Sequence, residues 1–559
     1  MNTTHAAGGR YYSVDAARSD EGYDASDVET DFLGEEIDFA EAELNSADDL
    51  AAGPVGAGAG ADEDEDVDPT DTEIARDMLD FIEASPSMFH SAASICDWLD
   101  DAGFTYLPES TAWDLEPGGA YYTQRNGSSV IAWQVGEGVP VPAAGAQQAD
   151  FRFADELDRP AYHFQVAASH ADSPTFKVKA VPELDGAGES LRLNVEAYGG
   201  MIDYSWFDRP LGLAGRVLVR EDVDERGADG ATGADGAADA DGAADADAAV
   251  TPVAIHSRLL FIDRPVAIIP SLAIHMDREV NKGFAPNRQV DLCPLFSAGE
   301  LKAGAFDALV ARELGVRPDQ VLARDLFLVN LQPAQVWGEG EEFVSSPRLD
   351  DLMCAYTSLS AFLQVGAPLE NRISVYCCFD NEEVGSNTKQ GAMSTLLRDT
   401  LERINQSLGF SSQDLRRALA VSFMVSCDNA HAVHPNRPER ADERNRCVLN
   451  GGLVIKEAAN QAYCTDAFSR AVFAALLDRA GVPRQTFANK SDMAGGSTLG
   501  NLSNMQVSMH GVDVGCAQLA MHSSYETAGA RDVAHAIAAF EAFYEADVHI
   551  DGAQAALLA

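Results

Sequence analysis

Apolar residues recur at two spacings along this chain, and the spacing changes with position. From Asp71 the apolar positions Ile74, Met78, Leu79 and Ile82 fall at helical intervals, with Thr72 or Asp71 as the candidate cap. A second short helix is predicted from Ser87 to about Ala102. Short apolar runs follow at 120–123, 129–133 and 162–169, and the last stops at a polar turn, His-Ala-Asp-Ser-Pro. From about 175 to 325 the pattern alternates with period two, as at 191–195, 215–219, 259–262 and 266–269, which predicts a mostly-β segment. From Asp325 strand and helix patterns take turns. Strands are predicted at 326–329, 373–379, 418–426 and 505–509, and helices at 349–363, 392–408, 466–480 and 531–544. Such alternation predicts an α/β fold, a mainly parallel sheet sandwiched by helices, into which the β-rich segment is inserted.

Two stretches have no such pattern. Residues 1–70 are acidic and poor in apolar side chains, and read as a disordered tail. Residues 222–251 repeat Gly, Ala and Asp, and read as a low-complexity surface loop inside the β-rich segment. The predicted division is therefore a tail at 1–70, a first part of the α/β domain at 71–174, the β-rich insertion at 175–325, and the second part of the α/β domain at 326–559.

Composition narrows the partners. Of 559 residues 46% are hydrophobic, enough for a large core, and 89 acidic against 39 basic side chains give a formal net charge of -50. That field repels nucleic acid and anionic membrane, so neither is an expected partner. No apolar run has the roughly 18 residues of a membrane span, and the first residues lack the basic and apolar regions of a secretory signal. The nine cysteines are odd in number, scattered and mostly in apolar runs, as expected of reduced thiols in a cytoplasmic protein.

The chemistry lies at strand ends and turns. His170 and Asp172 follow one predicted strand, Glu382 and Glu383 another, and Asp428 a third; Asp350 opens a helix, and His522 stands in Ala-Met-His-Ser. In an open α/β sheet the C-terminal strand ends converge on one crevice, so these groups can meet despite their separation. Carboxylates and imidazoles without thiolates suit zinc, manganese or cobalt, and their number suits a two-metal site.

Three runs together, Phe-Asp-Asn-Glu-Glu-Val-Gly-Ser at 379–386, Asn-Ala-His-Ala-Val-His-Pro-Asn at 429–436 and Gly-Gly-Leu-Val-Ile-Lys at 451–456, resemble the aspartyl aminopeptidase family of metallopeptidases. The similarity continues through 170–174, 206–212, 273–278 and 518–523, and spans about 71–559 apart from the low-complexity insertion. It implies a two-metal aminopeptidase that removes N-terminal Asp or Glu. Asp350 would bridge the two metal ions, most simply zinc, with His170 and Asp428 on one side and Glu383 and His522 on the other. Glu382 would be the general base, and Asp172 would orient the His170 ring. Lys456 and Tyr463 would recognise the acidic side chain, and His275 would reach a neighbouring subunit's site. The resemblance also implies that the β-rich insertion makes dimers and that these build a dodecamer. Asp351 stands where the family often has Asn. The alternatives are a two-metal hydrolase of broader specificity, whether aminopeptidase or deacylase, and a non-catalytic assembling scaffold.

Overall fold

The computed structural model describes residues 70–142, 160–222, 253–368 and 370–558, all within the unit Val67–Ala559. The expected acidic tail and low-complexity loop therefore lie outside the described residues, except for Thr70 and the backbone of Asp222.

Nine strands form the main sheet, in the order Thr105–Tyr106, Ala120–Arg125, Ser129–Val135, Arg372–Phe379, His163–His170, Phe423–Cys427, His510–Gly515, Leu453–Glu457 and Arg484–Ala488. The middle four, from Arg372–Phe379 to His510–Gly515, run parallel. Their neighbours on either side, Ser129–Val135 and Leu453–Glu457, run antiparallel to them. The sheet is thus mixed, though mainly parallel as the alternation of strands and helices had suggested, since Thr105–Tyr106 with Ala120–Arg125 and Leu453–Glu457 with Arg484–Ala488 also pair parallel. Part of the reason for the mixing is local. Asn126 and Gly127 both adopt positive φ, 63° and 65°, and close a tight turn that folds 120–125 back on 129–135, with no crossover helix between them.

Both faces of the middle strands are covered, so the strands read as continuous apolar runs rather than alternating ones. Successive side chains still point to opposite faces. Ala167, Tyr376, Cys378 and Val425 enter one core, which is roofed by Leu349–Val365 and Arg531–Glu545. Phe164, Val166, Ala168, Val375 and Cys377 enter the other, under Leu396–Ser407. The Leu349–Val365 helix is buried from Leu349 through Phe362, which fits its nearly all-round apolar sequence. The first helix, Asp71–Ala84, is capped by Thr70 rather than by Thr72 or Asp71, because Glu73 completes a reciprocal capping box with it.

A six-stranded sheet has the order Val253–Ala267, Leu211–Asp222, Val321–Asn330, Thr175–Asp185, Leu191–Tyr198 and Leu295–Ser297. Phe176, Leu193, Leu213, Leu260 and Leu328 pack in its core with Phe306 of the Ala305–Leu314 helix. Two expectations are corrected here. Residues 326–329, expected to open the second α/β part, belong to the strand Val321–Asn330, which pairs with Leu211–Asp222 over its whole length. A boundary at 325/326 would cut that strand. The separate strands expected at 259–262 and 266–269 are largely one strand, Val253–Ala267.

A five-stranded sheet, Gln335–Trp337, Phe343–Ser346, Glu526–Gly529, Ala517–Leu519 and Ala430–His431, had no counterpart among the expected elements. The strand expected at 418–426 begins at Phe423, because Ser412–Leu419 is a helix with its own capping box on Ser411. The run 505–509 follows the Leu499–Ser503 helix, and the strand itself is His510–Gly515. Among the described residues no helix is long and apolar enough to cross a membrane.

Candidate metal centre

Three neighbouring parallel strands end side by side, and each delivers ionisable groups to the same place. His170 is the last residue of His163–His170; Glu382 and Glu383 follow Arg372–Phe379; Asp428 follows Phe423–Cys427. Gly515 makes room for that last turn, since a Cβ there would lie 1.9 Å from the Asp428 carbonyl oxygen. Asp350 enters from the start of the buried helix and His522 from the loop between Ala517–Leu519 and Glu526–Gly529.

The side chains meet closely. Nε2 of His170 lies 3.6 Å from Oδ1 of Asp350. Nε2 of His522 lies 3.2 Å from Oδ2 of Asp350 and 3.3 Å from Oε2 of Glu383. Asp350 thus stands between the two imidazoles. Three sets of three residues each bring one ligand atom apiece within 4.8 Å of one another: His170, Glu382 and Glu383; His170, Asp350 and Asp351; Asp350, Glu383 and His522. Asp428 belongs to none of these sets, and its Oδ1 lies 3.4 Å from Nζ of Lys456.

The donor set fits cations. Oδ1 of Asp350 and Oε1 of Glu383 are buried without a hydrogen-bond partner, an arrangement that costs free energy unless something positive completes it. Burial pushes Glu382 up to about 8, with Asp428, Asp172 and Asp350 adding to the shift, and holds Glu383 well above the carboxylate range, with Asp350 adding. At Asp350 burial is outweighed by His170 and His522, and its pKa falls. Burial opposes the charged form of His522, but Asp350 outweighs it and lifts the imidazole to about 9. Divalent cations relieve such crowding of buried carboxylates, and nitrogen and oxygen donors without thiolates are those of a zinc site of catalytic type.

A buried carboxylate pins one side of the cluster. The backbone carbonyl of Asp172 lies 3.0 Å from Nδ1 of His170, which leaves Nε2 facing Asp350. Its carboxylate accepts the backbone N–H groups of Glu382 at 3.0 Å and Glu383 at 3.1 Å, and the Tyr198 hydroxyl at 2.7 Å. Asp172 therefore fixes the Glu382–Glu383 turn as well as the His170 ring. Four residues at the site carried no role in the sequence reading. Asp351 accepts the His170 N–H at 3.2 Å, Tyr198 braces Asp172, Asn429 donates to the Leu349 carbonyl, and Glu526 accepts the N–H groups of Asp350 and His522. For Glu526 a signal existed, an acidic residue four positions after His522; Tyr198 lies on the six-stranded sheet and had none.

The residues expected to recognise substrate are divided. Lys456 is only 1% exposed; its ammonium donates to the carbonyls of Asp428 at 2.6 Å and Asn429 at 3.3 Å, and stands 5.2 Å from the centre of the buried Tyr463 ring. Lys456 and Tyr463 thus lie beside the cluster, behind Asp428. His275 is exposed, in a turn after the Val253–Ala267 strand, and does not join the cluster.

The chain matches the family described as "Aminopeptidase I zinc metalloprotease (M18)" over residues 81–149, 150–232 and 251–544. It is 39% identical over 475 residues to the probable M18 family aminopeptidase 2 of Clostridium novyi, covering 84% of this chain and 98% of that one. It is 36% identical over 480 residues to the protein of the same name from Pseudomonas aeruginosa, again covering 84% and 98%. Among solved structures, a chain of the Ape4 and Nbr1 complex superposes with a TM-score of 0.74 at 32% identity, covering 84% of this chain and 85% of that one. The S. cerevisiae mApe1 dodecamer superposes with a TM-score of 0.67 at 27% identity, covering 85% and 96%.

Proposed function

Since the chain belongs to the aminopeptidase I zinc metalloprotease family, M18, and is thus a metallo-aminopeptidase, we propose that it removes N-terminal Asp or Glu from peptides at a two-metal site with Glu382 as general base. The observation that carries this reading is the meeting of His170, Asp350, Glu383 and His522 around unsatisfied buried carboxylate oxygens. Asp350 would bridge two ions, with His170 and Asp428 holding one and Glu383 and His522 the other.

Zinc held there supplies Lewis acidity to the scissile carbonyl and lowers the pKa of the attacking water. The chain's own groups do the rest. Glu382, which shares one set with His170 and Glu383, takes the proton of the attacking water and returns it to the leaving amine. Asp172 holds Glu382 and Glu383 in one turn so that neighbouring carboxylates serve different tasks, one as ligand and one as base. Glu382→Gln should retain zinc and lose turnover by about 10²–10⁴-fold, the usual worth of a general base; wild-type rate in that variant removes the assignment.

The acidic preference rests on the motif resemblance and on positive charge at Lys456, next to Tyr463, with His275 supplied by a neighbouring chain. One observation favours a second reading, an aminopeptidase of broader specificity: the Lys456 ammonium is occupied by Asp428 and Asn429. Turnover of Asp-, Glu- and Leu-terminated substrates separates the two, and equal rates for Leu and Asp would exclude the acidic preference.

The assembly is proposed to be a dodecamer built from dimers, with residues 71–174 and the part after the Val321–Asn330 strand forming the peptidase domain and the six-stranded sheet making the dimer. The outermost strand of that sheet, Val253–Ala267, supports this, because it exposes Val253, Ile255, Leu259 and Phe261 at alternate positions. A cytoplasmic location is proposed from the nine cysteines, all free and mostly buried.

A further inference from the structure

We propose that Glu526 is a positioning residue for the metal centre, a clamp that sets the backbones of Asp350 and His522 in register; the inference rests on the metal-site reading above. Glu526 is buried, 2% exposed, at the start of the strand Glu526–Gly529. Its two oxygens are used separately. Oε2 accepts the Asp350 N–H at 3.0 Å, and Oε1 accepts the His522 N–H at 2.6 Å. One carboxylate thus ties together two candidate ligands that lie far apart in the sequence.

The clamp extends to a third segment. Nε2 of Gln518 lies 3.5 Å from Oε1 of Glu526, and Oε1 of Gln518 accepts the Asn429 side-chain amide at 2.8 Å. Asn429 follows Asp428 directly, and its amide also donates to the Leu349 carbonyl at 3.0 Å, one residue before Asp350. Glu526 is itself held on two sides, since Ser346 faces it across the Phe343–Ser346 strand and the Ala517–Leu519 strand pairs beside it.

His522 needs such a restraint. Its φ is 67°, a left-handed conformation that a non-glycine residue keeps only where its surroundings enforce it. The Glu526 bond to its N–H is one such restraint, and with it the imidazole points at Asp350 and Glu383. The geometry asks for a carboxylate. Two N–H donors converge on two oxygens, and an amide in the same place offers one acceptor and turns its NH₂ toward the other donor.

The test compares wild type, E526Q and H522A by competition for zinc against a chromophoric chelator, alongside melting of the metal-free proteins. E526Q should bind zinc about 10–100-fold more weakly, the usual consequence of losing a partner that orients metal ligands. Its metal-free melting point should stay within a few degrees of wild type, and its KM for peptide should be unchanged once zinc saturates. Wild-type zinc affinity in E526Q, with weakened binding in H522A, overturns the clamp and leaves the metal site standing. Wild-type affinity in both overturns the metal-site reading and the clamp with it. Should E526Q not fold, Glu526→Asp decides, because it keeps the carboxylate charge and is one methylene too short to reach the Asp350 and His522 N–H groups together. Weaker zinc binding in that variant supports the clamp, and unchanged binding refutes it.

Discussion

At the scale of single residues, carboxylates of the same chemistry stand in different surroundings. Glu383 and Asp350 face the imidazoles, Glu382 stands beside them, and Asp172 is spent on the backbone of its neighbours. Asp172→Asn replaces one acceptor oxygen with a donor group, so one of the N–H groups of Glu382 and Glu383, or the Tyr198 hydroxyl, loses its partner. We expect zinc affinity to fall by about 10–100-fold and activity to recover partly as zinc is raised, measured by titrating zinc into the stripped variant; wild-type affinity would show that the turn holds itself. His170, Glu382 and Glu383 were legible in the sequence because they sit at or just after strand ends, where an open sheet gathers side chains, and Asp350 and His522, at a helix start and in a loop, were legible through the joint motif resemblance. Lys456 was legible as a residue and not as an environment. It ends the motif run Gly-Gly-Leu-Val-Ile-Lys, yet only the fold shows that the run is a buried strand and that carbonyls of Asp428 and Asn429 accept hydrogen bonds from its ammonium. Tyr198 went unseen because it acts through contacts that join distant segments, which spacing along the chain does not encode; Glu526 stood four residues after His522, but its bond to the Asp350 N–H is of that same long-range kind.

At the scale of elements, the buried strand His163–His170 carries a titrating group at each end. His170 belongs to the candidate metal centre. His163, 6% exposed, has its pKa lowered to about 4, chiefly by burial, with Arg372 and His549 contributing and Asp547 opposing. The unfolded chain takes up this proton near pH 6.5 and the folded chain only near 4, so its contribution is complete above about pH 6.5 and is lost as pH falls toward 4. Between pH 7 and pH 5 the loss amounts to about 2 kcal/mol. His163→Gln should flatten the dependence of denaturant-unfolding free energy on pH in that window by this amount, and an unaltered slope would contradict the burial argument. Elements were legible where one covalent stretch contains the whole pattern, as in the helices Leu349–Val365 and Arg531–Glu545. They were less so where pairing decides. The period of 326–329 says strand, and nothing local says that its partner is Leu211–Asp222. The five-stranded sheet is built from strands of two to four residues, too short for any period to register.

At the scale of the whole molecule, a net charge of -50 sets the background for everything else. Like charges on one chain oppose compaction, and salt screens them over about 10 Å at 0.1 M and about 3 Å at 1 M. The melting temperature should therefore rise between 10 mM and 1 M sodium chloride, and a fall would mean that specific ion pairs outweigh the self-repulsion. The same background bears on the centre, because an acidic chain raises the local concentration of divalent cations and of peptide amino termini. The central claim is that His170, Asp350, Glu383, Asp428 and His522 hold paired cations on which turnover depends. It is tested most directly by returning zinc to the stripped protein in steps while following hydrolysis of an Asp-terminated peptide. Activity absent from the stripped protein and complete at two zinc ions per chain is the predicted result; full activity without metal would contradict the account.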